Sequence, residues 1–237
     1  MLTYCLTHTK MMIMKVLKIF TLLILTAFLS INFSCIKKEC KIAGGNYEFV
    51  LPFTLSPAQK TFHTGDTITI SSTFTNPVFE RKTGNSYNLV DFKFYLGTVI
   101  YYMDTSIIDF ADIDRFSFIK ENNVNISAQY YSDGNSTLDG QYTYQNNQYT
   151  YKFKLVAKEK GNYVLFQGSE IYYRGGKQLF EGKCKNVIDG AIINMNNRGD
   201  NNIELINESK NPYYAVYITK KESKYLDVGG YCFKVIE

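Results

Sequence analysis

Tryptophan is absent from the 237 residues, histidine occurs twice, proline four times and cysteine five times. Each scarcity narrows the chemistry. Downstream of residue 34 only His63 remains, so a Ser-His-Asp or Cys-His arrangement has a single imidazole to draw on, in Thr61-Phe62-His63-Thr64-Gly65, just before a turn. No GxSxG segment marks a nucleophile beside it. Long apolar runs are missing too: the longest, Ile19 to Leu29, has eleven residues, against the roughly 20 that a membrane-spanning helix needs. Charged residues make up 20% and apolar residues 45%, the balance of a folded globular chain rather than a disordered or polytopic one.

Acidic residues are absent before Glu39, whereas Lys10, Lys15 and Lys18 carry three of the four net positive charges. Without residues 1–34 the remaining 203 residues are nearly neutral, and the basic doublets Lys37-Lys38, Arg81-Lys82 and Lys220-Lys221 are scattered. Nucleic acid is therefore not an expected partner, because phosphate neutralisation needs clustered Lys and Arg. From Met14 the sequence reads MKVLKIFTLLILTAFLSINFSC: a basic start, a short apolar run, then Ser34-Cys35. That is the layout of a secretory signal. The Ser34-Cys35 junction resembles the lipobox of bacterial lipoproteins, although Asn32 and Phe33 depart from its common form. The resemblance implies that Cys35 is lipidated and becomes the first mature residue, with the cell envelope, and the outer membrane in particular, as the destination. Residues 1–13 read as an over-extended start.

Beyond a short polar tether, 35–45, period-two alternation dominates. Tyr47, Phe49, Leu51, Phe53 and Leu55 share one face; so do Ile68, Ile70, Ser72 and Phe74; so do Phe92, Phe94 and Leu96; and so do Tyr149, Tyr151, Phe153 and Leu155. Turn signals at Gly65-Asp66, Gly84-Asn85, Asp133-Gly134-Asn135, Asn146-Asn147 and Gly161-Asn162 separate these strands, with no helical period between them. A mainly β, antiparallel sandwich over 46–185 follows. The runs TFHTGDTITISSTF and YKFKLVAKEKGNYVLF resemble an early strand and a late hairpin of immunoglobulin-like domains, which implies that architecture. In 186–237 eight Asn crowd between Asn186 and Asn211, and Asn201 with Glu204 suits a helix start. A short helical insertion is expected there, with strands at 213–219 and 231–236, all packed on the same domain.

With Cys35 lipidated, Cys40, Cys184 and Cys232 remain. Cys184 ends the sandwich pattern and Cys232 sits in the last strand, so their pairing is the expected disulfide. No metal or cofactor is expected, since no Cys or His stands at ligand spacing from either. Four tyrosine doublets, Tyr101-Tyr102, Tyr130-Tyr131, Tyr172-Tyr173 and Tyr213-Tyr214, should each send one ring inward and one outward if they lie in strands. Outward rings from different doublets could form one surface for a glycan or an envelope protein. The function expected is a non-catalytic binding or structural module held to a membrane by its lipid. The alternative is a glycan-directed hydrolase using paired carboxylates, drawn from Asp109, Asp112 and Asp114 or from Asp133 and Asp139. Two carboxylates converging in one cleft would favour it.

Overall fold

A computed structural model describes residues 40, 42, 45–106, 110–121, 124–174 and 177–237. Its strands in chain order are β1 (Phe49–Ser56), β2 (Thr61–His63), β3 (Thr67–Thr75), β4 (Val78–Glu80), β5 (Asn85–Tyr87), β6 (Tyr95–Tyr102), β7 (Phe116–Lys120), β8 (Asn125–Tyr130), β9 (Ser136–Gln141), β10 (Thr143–Gln145), β11 (Gln148–Ala157), β12 (Gly161–Ser169), β13 (Ala191–Met195) and β14 (Gly230–Ile236). One sheet runs β10-β11-β3-β1-β4-β5, with β7 also on β11 and β13 on β1; the other runs β2-β14-β12-β6-β9-β8. Together they form the expected mainly β sandwich. Pairing is antiparallel except for β13 on β1 and β2 on β14, which lie parallel.

The alternating faces read from the sequence are the faces that meet. Tyr47, Phe49, Leu51, Phe53 and Leu55, and Tyr149, Tyr151, Phe153 and Leu155, are all buried in the space between the sheets. The second sheet adds Leu96, Ile100, Leu138, Tyr163, Leu165 and Phe233. A core so rich in tyrosine requires hydroxyl partners, since an unpaired buried hydroxyl costs about 1–3 kcal/mol. The backbone supplies several of them: Tyr149 Oη donates to Leu89 O and accepts from the Phe92 N–H at 2.7 Å, and Tyr47 Oη accepts from the Cys184 N–H at 2.6 Å. Tyr142 Oη donates to Ser72 Oγ at 2.6 Å. Asn146 and Asn147 both take positive φ (51° and 62°), the turn that joins β10 to β11 without splaying them.

A second apolar layer covers the outer face of the second sheet. Residues directly opposite in antiparallel strands share a face, so Tyr101, Val164 and Cys232 line up across β6, β12 and β14, with Val99 and Phe166 beside them. Leu205, Ile206, Tyr214, Tyr225 and Leu226 of the C-terminal segment seal this stripe. That segment is helical in short pieces: 3-10 turns at Ile203–Glu208 and Pro212–Tyr214, an α-helix at Ala215–Thr219 and a π-type turn at Glu222–Leu226. The expected strand at 213–219 is therefore a helix. Asn211 caps it by accepting from the Tyr213 N–H, with Pro212 at its first position. The helix start expected at Asn201 falls one residue later, at Asn202 in a left-handed conformation with no side-chain cap. Asp227 fastens the segment: Arg81 reaches its two oxygens at 2.8 and 2.9 Å, and Arg198 reaches one at 2.6 Å.

The expected Cys184–Cys232 disulfide is absent. Cys40 and Cys184 are the disulfide-bonded residues, and Cys232 is a free, fully buried thiol. The reason is the face on which each lies. Cys232 points to the outer face of the second sheet, where Tyr225 Oη lies 3.4 Å from its sulfur, whereas Cys184 lies beside Tyr47, next to β1 of the first sheet. Ile42, read from sequence as part of the tether, is buried in the core, so folded structure begins ahead of residue 46.

Candidate functional site

Beyond the stripe sealed by the C-terminal segment, the outer face of the second sheet turns polar. Gly97 of β6 lies between Gly168 of β12 and Asp139 of β9, so two of these three neighbouring positions carry no side chain. Chain leaving β12 turns back over them. The Glu170 N–H donates to Tyr95 O at 2.8 Å, and one helical turn, Ile171–Arg174, follows, with Ile171 fully buried as its apolar peg. A Cβ on Gly97 would sit 2.5 Å from Glu170 Oε1, so the glycine is what admits that carboxylate.

Three charges meet here. Arg174 Nη2 pairs with Asp139 Oδ2, and Arg174 Nε lies 2.8 Å from Glu170 Oε2. Thr137 Oγ1 donates to the other Asp139 oxygen at 3.0 Å. The Asp139 side chain is only 6% exposed, while Arg174 is 43% exposed and caps it. Burial, and next the neighbouring Asp139 charge, raise the Glu170 pKa; Arg174 opposes this only in part. Two carboxylates thus converge, but on a guanidinium placed between them. Asp139 was among the residues expected from sequence. Glu170 and Arg174 were not, although the four-residue spacing in Glu170-Ile-Tyr-Tyr-Arg174 before Gly175-Gly176 is a helical ion-pair signal.

The tyrosine doublets behave differently from one another. Tyr101-Tyr102 obeys the strand rule: Tyr101 turns to the outer layer and packs on Tyr214, and Tyr102 turns inward against Tyr163 beneath the Arg115 guanidinium. Tyr213-Tyr214 lies in the 3-10 turn, with Tyr213 exposed and Tyr214 buried. Tyr130 and Tyr131 are both exposed, because β8 ends at Tyr130 and Tyr131 already belongs to the hairpin tip. Tyr172 and Tyr173 are also both exposed, on the one-turn helix rather than a strand, and stack edge to face at 5.1 Å. Tyr172 and Tyr173 share the one-turn helix with Arg174, and the Tyr131 phenol from the other doublet lies close enough to influence the Arg174 charge.

Other expected residues are dispersed. Asp112 caps the 3-10 turn Ile113–Arg115 and lies 3.4 Å from Arg115, Asp114 accepts from Tyr130 Oη at 2.8 Å, and Asp133 caps its own hairpin. Asp109 and Cys35 lie outside the described residues. His63 is exposed at the end of β2, its Nδ1 3.7 Å from Asp66. Among the described residues no cluster of three His, Cys, Asp or Glu is placed to hold a metal. At the far end of the same sheet an open depression of about 630 Å³ is lined by Tyr102, Asp104, Lys160, Asn162 and Lys234, among others. Its charges are already paired: Lys160 with Glu237 at 2.6 Å, Lys234 with Glu208 at 2.5 Å, and Asp104 with Asn162 at 2.6 Å.

No protein-family model and no curated protein matches the chain. Among solved structures, the human F-spondin reeler domain is similar at 8% identity over 62% of this chain and 85% of that one, with a TM-score of 0.31. A type II cohesin dyad from the adaptor ScaA scaffoldin of Acetivibrio cellulolyticus is similar at 9% identity over 61% of this chain and 46% of that one (TM-score 0.29). A single type II cohesin domain from the cellulosome of the same organism is similar at 8% over 62% and 92% (TM-score 0.27).

Proposed function

We propose that the chain is a membrane-tethered, non-catalytic binding module that presents the Arg174 region to a glycan of the cell envelope. The observation that carries this reading is the set of exposed tyrosines near Arg174, with Tyr172 and Tyr173 on its helix and Tyr131 close enough to influence its charge, beside Asp139 and Glu170. Tyrosine faces suit the apolar side of a sugar ring, and a charged cluster offers donors and acceptors for its hydroxyls. The tether is supported by the sequence alone, through the signal-like run and the Ser34-Cys35 junction. Among the described residues no helix is long and apolar enough to cross a membrane.

Hydrolysis is the second reading, and one observation favours it: Glu170, its pKa raised, stands beside Asp139, the kind of pair from which glycosidases draw an acid and a base. Arg174, however, occupies the space between the two carboxylates. Titration of the chain with envelope oligosaccharides by calorimetry tests the binding reading. Heat released with the parent and lost in Y131A/Y173A, whose rings are exposed, is the expected result. Binding that survives in that variant, or sugar cleavage that depends on Glu170 and Asp139, overturns it. For the tether, C35A is expected to leave the membrane fraction or to stay unprocessed; unchanged processing and partition would refute it.

A further inference from the structure

We infer, on the reading that Cys35 carries the lipid anchor, that the end of the sandwich at which β1 begins rests on the bilayer, with Val90 and Leu179 entering its interface. Leu179, 91% exposed, is the most exposed large apolar residue among those described, and Val90 is 63% exposed. The loops that carry them are joined to each other. The Lys93 N–H donates to Gln178 Oε1 at 2.8 Å, and Gln178 Nε2 donates to Lys93 O at 2.9 Å. Leu179 directly follows one of these residues, and Val90 stands three before the other. Both loops lie at the same end of the fold. Lys93 comes just ahead of β6, whose first residues pair with the last of β12, and the stretch 177–190 passes through the Asn46–Ile188 bridge just ahead of β1.

Single exposed aliphatic residues are ordinary on soluble surfaces. The covalent path to the lipid is what selects a bilayer as the occupant here. Cys184, on the same stretch as Leu179, is disulfide-bonded with Cys40, and Cys40 stands five residues after Cys35. Five residues span at most about 17 Å, so a lipid on Cys35 keeps the Cys184 loop within that distance of the headgroups. Without the bond, Asn46 at the first bridge would be eleven residues from the lipid, about 38 Å of extended chain. The opposite end, where β14 finishes at Ile236, lies about 20 Å further along the strands. Charge around Leu179 suits the same surface: Lys177 and Lys185 are exposed, with Glu181 the one exposed acid in 177–187, and ammonium groups pair with lipid phosphates. Two aliphatic side chains hold far less firmly than an acyl chain, so they orient the domain and leave anchoring to the lipid.

The chain has no tryptophan, so L179W, V90W and I236W each supply a single indole as a depth reporter. Each full-length lipidated chain is reconstituted into vesicles of phosphatidylethanolamine and phosphatidylglycerol, with or without bromine on the upper acyl chain. L179W and V90W should emit about twofold less from the brominated vesicles, and at shorter wavelength than the same substitution in unlipidated C35A. I236W, at the opposite end, should be unaffected by bromine, which controls for the affinity of indole itself for the interface. Melting temperatures equal to that of the parent establish that the fold is intact. Vesicle flotation separates the docking from the anchor. A chain that floats while L179W and V90W stay unquenched, or while I236W is quenched equally, overturns the docking alone; a chain that does not float removes the anchor and the docking together.

Discussion

Gly140→Ala puts the contact between the two sheets to a direct test. Gly140 lies in β9 opposite Leu96 of β6 and Ile126 of β8, on the face directed into the core. Tyr151 reaches it from β11 of the other sheet. The sheets of a sandwich are about 10 Å apart, and a tyrosine side chain nearly spans that gap, leaving no depth for a methyl group below its tip. A Cβ on residue 140 would fall on the Tyr151 hydroxyl and within 2.6 and 2.8 Å of two ring carbons, where relaxed carbon contacts lie at about 3.5–4.0 Å. The ring has to retreat by about 1 Å into neighbours it already touches, Phe53, Tyr142 and Phe153, with centroids 6.0, 5.7 and 5.6 Å away. Overpacking of this kind costs about 1–3 kcal/mol, and the backbone entropy recovered by replacing glycine offsets about 0.5–1. A net loss of about 1 kcal/mol should lower the melting temperature by about 2–4 °C for a domain of this size. The assay is thermal unfolding followed by near-ultraviolet circular dichroism, run also in a Y151F background. There the closest contact is gone, and the same alanine should cost at least about 0.5 kcal/mol less. An unchanged melting temperature, or an equal cost in both backgrounds, would refute the reasoning.

At the candidate site, R174A leaves Asp139 buried without its partner and should cost about 1–3 kcal/mol in urea unfolding at pH 7; no loss would mean that the one-turn helix is not held by this pair. Glu170 works in the opposite sense. Its raised pKa means that the folded chain holds the proton more tightly, so its contribution is complete below the ordinary value of 4.5 and is lost as the pH rises through its folded value. The unfolding midpoint of E170Q relative to the parent should therefore improve between pH 4 and 7, and a flat difference would contradict this. Asp227 titrates low: burial acts to raise its pKa, but the Arg81 and Arg198 guanidiniums outweigh it. Its stabilisation is present above the ordinary value of 3.8 and fades as the pH falls through the lowered one, so D227N should cost about 1–2 kcal/mol at pH 7, after discounting for the exposed arginines, and less in acid. Burial pushes the Cys232 thiol up to about 12; alkylation mapped by peptide mass at pH 8 should leave Cys232 unmodified until denaturant is added, and modification of the native chain would show that the second apolar layer is open.

Sequence alone determined the sandwich, because period two is a property of the extended backbone and needs no partner to be read. The alternating runs at 47–55, 68–74 and 149–155 could bury their apolar sides only by facing another sheet, and the Asn and Gly turn signals fixed where the chain reverses. Tertiary structure decided everything that depends on which residues meet across distance. Cys184 and Cys232 had suitable positions along the chain but lie on different layers, so Cys40 is the cysteine joined with Cys184. Tyr213 to Thr219 is rich in the aromatic and β-branched residues of a strand, yet Pro212, the Asn211 cap and the apolar stripe of the second sheet make it a helical cover. The Asp139, Glu170 and Arg174 cluster joins β9 to the helix after β12 across the glycines of β6 and β12, a proximity created by strand order alone. Local pattern fixes an element and its faces; which faces pair, and which side chains then share a site, is settled by the burial that the whole chain achieves together.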